Sequence, residues 1–139
     1  MTLHRISFPG SIVHCGALRR CIKAFGITEG YSSSFLSELE LTLHEAFVNA
    51  VRHGNLSNPE LPVSLILCDG REAGVRYLRV EVRDCGNGYS LPERHDFSRS
   101  GDARVLSGRG LPLIVHFADS VRNETRPEGS VLILHYIPY

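Results

Sequence analysis

The sequence predicts an α/β (α+β) two-layer sandwich: one mixed, mostly antiparallel sheet with helices on one face. Two long runs of helical period lie in its first half. A pair of β-branched runs then forms a hairpin pattern, and two more strand-like runs close the chain after a short helix. The 139 residues read as one domain, 1–139, large enough to bury a core without staples.

Taken in order, residues 3–8 alternate loosely and stop at Pro9-Gly10, which gives a short strand and a turn. Ser11 suits the N-cap of a helix running to about Phe25, with Ile12, Leu18, Ile22 and Phe25 as its apolar stripe and Gly26 as its stop. Residues 30–34 are rich in breakers and form a loop. Residues 35–53 make the longest helix, with Leu36, Leu39, Leu43, Phe47 and Ala50 on one face and Gly54-Asn55 as a glycine cap. Residues 61–68 and 75–83 are β-branched strands joined by a hairpin loop at 69–74. Residues 89–107 are polar, contain Pro92 and lack a period; a connection that long within a domain suggests a functional lid. A helix at 111–117, a strand at 120–124 and a last strand at 130–137, after the turn Pro127-Glu128-Gly129, complete the chain.

Formal net charge is zero, so no electrostatic footprint points to nucleic acid or to an anionic membrane. Of the basic residues only Lys23 is a lysine; the rest are arginines, which suit bidentate contacts to carboxylate or phosphate and equally reflect a G+C-rich coding bias. Cys15, Cys21, Cys68 and Cys85 show no paired C-x-x-C spacing, which argues against zinc. Without a signal peptide or a membrane-length apolar run, the reading is a cytoplasmic protein with reduced thiols.

Three segments carry chemistry. On the long helix Glu38, Thr42, Glu45, Asn49 and Arg52 lie opposite the leucine stripe, and Glu45 and Asn49 at i,i+4 can meet one ligand. A neutral Asn oxygen suits Mg²⁺ that is held mainly by phosphates and water, and a nearby Glu can take a proton from a hydroxyl or water. Asp84 shares a face with Val80 and Val82, where a carboxylate needs partners; it can accept a hydrogen bond from an exocyclic adenine amine. Gly86 and Gly88 let a ligand ring approach the main chain. Gly108-Arg109-Gly110 before an apolar helical run presents backbone amides to phosphate, although no Walker sequence and no G-x-G-x-x-G after a strand occurs. Alone, each segment also fits an ordinary turn or a solvated helix face. Together and in this order they point to a nucleotide site.

The three segments resemble the nucleotide-binding boxes of the GHKL superfamily of gyrase-type, chaperone, histidine-kinase and mismatch-repair ATPases. Glu45-x-x-x-Asn49-x-x-x-His53-Gly54 is similar to its N-box, Asp84-x-Gly86-x-Gly88 to its first glycine box and Ser107-Gly108-Arg109-Gly110-Leu111 to its second. Gly129-Ser130 resembles the final box, where Thr is commoner. The compact length and the Asn-Ala-x-x-His-Gly wording most resemble the bacterial anti-sigma factor serine kinases.

The resemblance implies a Bergerat-type ATP-binding fold with ATP and Mg²⁺ as cofactors. Glu45 inherits the role of base, Asn49 that of magnesium ligand and Asp84 that of adenine acceptor, with Arg52, His53, Gly86, Gly88, Ser107, Gly108, Arg109, Gly110, Leu111 and Ser130 around the nucleotide. It further implies a homodimer, phosphorylation of a serine on a STAS-type anti-anti-sigma partner, and nucleotide-dependent capture of a sigma factor, with no direct contact to nucleic acid or membrane. Two alternatives stay open: a non-catalytic module that uses ATP to present a surface, and a standalone ATPase in which Glu45 acts on water.

Overall fold

In chain order the elements of the computed structural model are β1 (Thr2–Pro9), a 3-10 turn (Ile12–His14), α1 (Cys15–Glu29), α2 (Ser33–Asn49), a π-helical turn (Ala50–Gly54), β2 (Pro62–Glu72), β3 (Val75–Asp84), β4 (His95–Ser98), α3 (Leu111–Phe117), β5 (Ser120–Arg126) and β6 (Gly129–Tyr136). The structure describes residues 1–86 and 114–139 in full, and the backbone alone of 95–98 and 111–113. The six strands form one sheet in the order β1-β2-β3-β6-β5-β4, antiparallel at every pairing among the described residues. The last strand therefore sits in the middle, between β3 and β5. The segments around Asp84 and Ser130 become neighbours as a result.

The helices cover one face. Leu18 and Ile22 of α1, Leu39, Leu43 and Phe47 of α2, and Ile114 of α3 pack on Leu65, Leu67, Val80 and Leu134 of the sheet. The alternate residues of the strands form the other face. There Glu81 binds Arg79 and Arg83 at 2.7 Å each, and Glu124 binds Arg122 and Arg126 at 3.1 Å. Val131 and Ile133 are buried but stand apart from the helix-side core, in strand register with this charged lattice. The arginine stems shield apolar surface while their heads stay hydrated.

Element ends differ from the sequence reading in instructive ways. Ser11 caps only the 3-10 turn, its hydroxyl accepting from the Val13 N–H at 3.4 Å, and α1 begins at Cys15. Gly26 does not stop α1: it is buried within the helix, where a Cβ would strike the Leu36 side chain, and the chain continues one turn to a left-handed Gly30. Ser32 starts α2 by accepting from the Phe35 N–H at 3.1 Å. Gly54 ends the π-helical turn without a left-handed cap, since positive φ among the described glycines falls at Gly30, Gly74 and Gly129. The hairpin loop at 69–74 shrinks to Ala73-Gly74, both at positive φ, because such a two-residue turn matches strand twist and lets the ladder run on to Glu72 and Val75. The segment 89–107 lies outside the described residues except for the β4 backbone.

Candidate functional site

Asp84 ends β3 on the helix side of the sheet, 4% exposed. Its Oδ1 accepts from the Gly86 N–H at 3.1 Å and from the Ser130 N–H at 3.4 Å. Those bonds favour the carboxylate, yet burial outweighs them and pushes its pKa up to about 6. Oδ2 is the oxygen that lies against Gly54. Two glycines make room for this group. A Cβ on Gly54 would collide with the Asp84 carboxyl, and one on Gly86 with the Gly54 carbonyl.

Asn55 locks the arrangement. It is buried; its Oδ1 accepts from the N–H groups of Cys85 and Gly86 at 2.9 and 3.1 Å, while its Nδ2 donates to the carbonyls of Leu61 and Pro62. The chain after α2 and the chain after β3 are thereby tied to the start of β2. Only an amide, with a donor and an acceptor side by side, can do this.

On α2 the polar face is not a solvated one. Thr42 and Asn49 are buried, and the Thr42 hydroxyl lies 2.7 Å from that of Tyr136 on β6. The Asn49 Nδ2 has no hydrogen-bond partner among the described residues, an amide that a polar ligand would complete. Glu45, one turn earlier, is half-buried and lines an open groove of about 330 Å³ with Ile12, Cys15, His44, Val48 and Arg52. Burial pushes the Cys15 thiol up, which keeps it protonated. Arg52 and His53 are exposed on the π-helical turn.

Of the residues singled out by sequence, the structure brings Asp84, Gly86 and Ser130 together and sets the N-box turn against them through Gly54. Glu45 and Asn49 share α2, but Glu45 lines an open groove that Asn49 does not, and Asn49 is buried. Gly88, Ser107, Gly108, Arg109 and Gly110 lie outside the described residues, and Leu111 is described only as the first residue of α3. Sequence reasoning missed the roles of Asn55 and Gly129. The Gly129 φ is +145°, and a Cβ there would strike the Asp84 carbonyl. Glycine and asparagine next to boxes already noted were the available signal.

A buried acceptor walled by glycines and an uncompleted amide fit a purine nucleotide. The described residues hold no group of three or more His, Cys, Asp or Glu that could cage a metal, and magnesium bound chiefly by phosphate oxygens and water needs no such cage. A family model described as histidine kinase-like ATPase domain matches residues 8–136. No curated protein matches the sequence. Among solved structures, the crystal structure of the RsbU and RsbW domains of Rv1364c from Mycobacterium tuberculosis is similar in fold, with a TM-score of 0.66 at 14% identity. That likeness covers 99% of this chain and 32% of the other.

Proposed function

From the premise that the chain belongs to the histidine kinase-like ATPase family, we propose that it binds Mg-ATP and phosphorylates a serine of a small STAS-type anti-anti-sigma protein, controlling transcription by partner switching. Its cofactor supplies one thing, a transferable γ-phosphoryl group. Asp84 takes the adenine amine at Oδ2, Gly54 and Gly86 let the base lie against the main chain, and Asn49 offers its amide oxygen to magnesium. Glu45 would accept the proton of the attacking serine hydroxyl, and ATP would supply the phosphoryl group and leave as ADP.

One observation supports the protein-substrate reading: Glu45 is half-buried and lines an open groove. A partner's serine can reach a base placed there. The groove's rim of Ile12, Val48 and Arg52 suits a protein surface better than a lone water. In the same reading the active form is a homodimer that captures a sigma factor when ATP is bound.

Labelled Mg-ATP, the purified chain and STAS-type proteins from its own genome test the proposal. The wild type transfers label to a partner serine. Glu45→Gln keeps nucleotide affinity within about an order of magnitude and loses ~10²–10⁴-fold in transfer rate. Equal transfer by both would remove Glu45 as the base. Binding of the partner without transfer would favour the non-catalytic module, and release of phosphate without a partner the standalone ATPase.

A further inference from the structure

Asn55 closes the π-helical turn, and the two halves of its buried amide do different work. Nδ2 donates to the carbonyls of Leu61 at 2.9 Å and Pro62 at 3.2 Å, which fastens the turn to the start of β2. The backbone already supports that fastening. The Asn55 N–H donates to the Ala50 carbonyl at 2.8 Å, and the Gly10 N–H to the Leu61 carbonyl at 2.9 Å. Oδ1 takes no part in it. Its two donors, the N–H groups of Cys85 at 2.9 Å and Gly86 at 3.1 Å, belong to the peptide groups that follow Asp84 directly.

The Gly86 N–H stands between two acceptors, 3.1 Å from Asn55 Oδ1 and 3.1 Å from Asp84 Oδ1. A shared N–H points between its acceptors, so each limits how closely the other draws it in. With alanine at position 55 the Gly86 N–H is left to Asp84 alone, and the Cys85 N–H loses its acceptor. The chain after β3 is then free to swing, and Asp84 turns towards its own loop. The backbone of Asn55 borders the same place, since a Cβ on Gly86 would meet the Gly54 carbonyl and lie 3.1 Å from the Asn55 Cα.

We propose that Asn55 is a positioning residue of the nucleotide site: by holding the Cys85 and Gly86 amides it fixes the direction in which the Asp84 carboxylate meets the base. The proposal rests on the nucleotide-binding reading above. Asn55 touches no nucleotide itself; it acts through Asp84, so its removal is read in the preference for the adenine amine as well as in stability.

Calorimetry with Mg-ATP and with the Mg complex of purine riboside triphosphate, which lacks the amine, tests this on the full chain well below the Tm of each variant. The wild type prefers ATP. Asn55→Ala weakens ATP binding by at least about tenfold and brings it level with the amine-free analogue. Asn55→Ser, whose short hydroxyl does not span both amides, does the same and serves if alanine is not accommodated. Asp69→Ala is the control. Asp69 holds Tyr31 and Arg76 at the far end of β2 from Val63, the strand partner of Asp84, so this variant loses stability and keeps the preference. If the wild type binds neither triphosphate, the nucleotide reading itself fails; if it binds both alike, Asp84 reads no amine and Asn55 has nothing to position. If the Asn55 variants keep the preference, or Asp69→Ala loses it to the same extent, Asn55 is a structural tie only. Amide exchange on the empty wild type needs no variant: Cys85 and Gly86 exchange slowly, and free exchange at both would contradict the proposal.

Discussion

Asp84 shows how much a single residue's surroundings decide. Its native pKa of about 6 stands above the ordinary 3.8 because burial disfavours the charge more than two backbone N–H groups favour it. A group raised in this way contributes stability that is full below pH 3.8 and is lost as pH rises through 6. Asp84→Asn keeps an Oδ1 for Gly86 and Ser130 and removes the charge. The variant should unfold at a higher temperature than wild type at pH 8, by the equivalent of roughly 2–3 kcal/mol, with the gap closing towards pH 4.5. Thermal melts across that range check it, and a constant gap would mean that the carboxyl is not held against its charge. The Val80-Val82-Asp84 alternation made this position legible in sequence. The contacts of Asn55 and Gly129 were signalled only by their place beside the boxes, since the groups that they serve come from segments distant in sequence, and single-chain patterning carries no record of that.

At the scale of elements, the ends proved harder to read than the elements themselves. Glycine read as punctuation at Gly26 and Gly54 is glycine for space, with α2 pressing on one and Asp84 on the other. Helix period correctly placed the stripe of Leu39, Leu43 and Phe47 and set Thr42 and Asn49 on the opposite face, but their burial, with the Thr42 hydroxyl reaching Tyr136 of β6, is not encoded in one helix's pattern. The far end of the helix layer is held by another cluster. The Tyr31 hydroxyl donates to Asp69 at 2.5 Å, Arg76 binds the same carboxylate at 3.0 Å and the Glu29 carbonyl at 2.7 Å, and its guanidinium stacks 4.7 Å from the Tyr31 ring. Burial and the Asp69 charge push the Tyr31 hydroxyl well up, so it remains a donor. Asp69→Ala strands Tyr31 and Arg76 and should cost about 3 kcal/mol, whereas Tyr31→Phe removes one bond and should cost about 1 kcal/mol. Urea titration reads both; equal losses would show that the cluster does not act through Asp69.

Over the whole molecule, the antiparallel order that inserts β6 between β3 and β5 brings three distant stretches to one place: the turn after α2, the end of β3 and the start of β6. The resemblance carried by the boxes anticipated the sandwich and the family, both of which stand. No helix among the described residues is long and apolar enough to cross a membrane. This meeting point is the proposed adenine-nucleotide site, with Asp84 as its acceptor. Titration calorimetry of Mg-ATP against wild type and Asp84→Asn at pH 7.5, repeated on the wild type at pH 5, tests it most directly. The account predicts measurable binding by the wild type, at least about tenfold weaker binding by Asp84→Asn, and weakening of the wild type as pH falls through 6, where the carboxylate is lost. Wild-type protein that binds no adenine nucleotide at millimolar concentration, or that binds it as well with Asn at position 84 and at pH 5, would contradict the account.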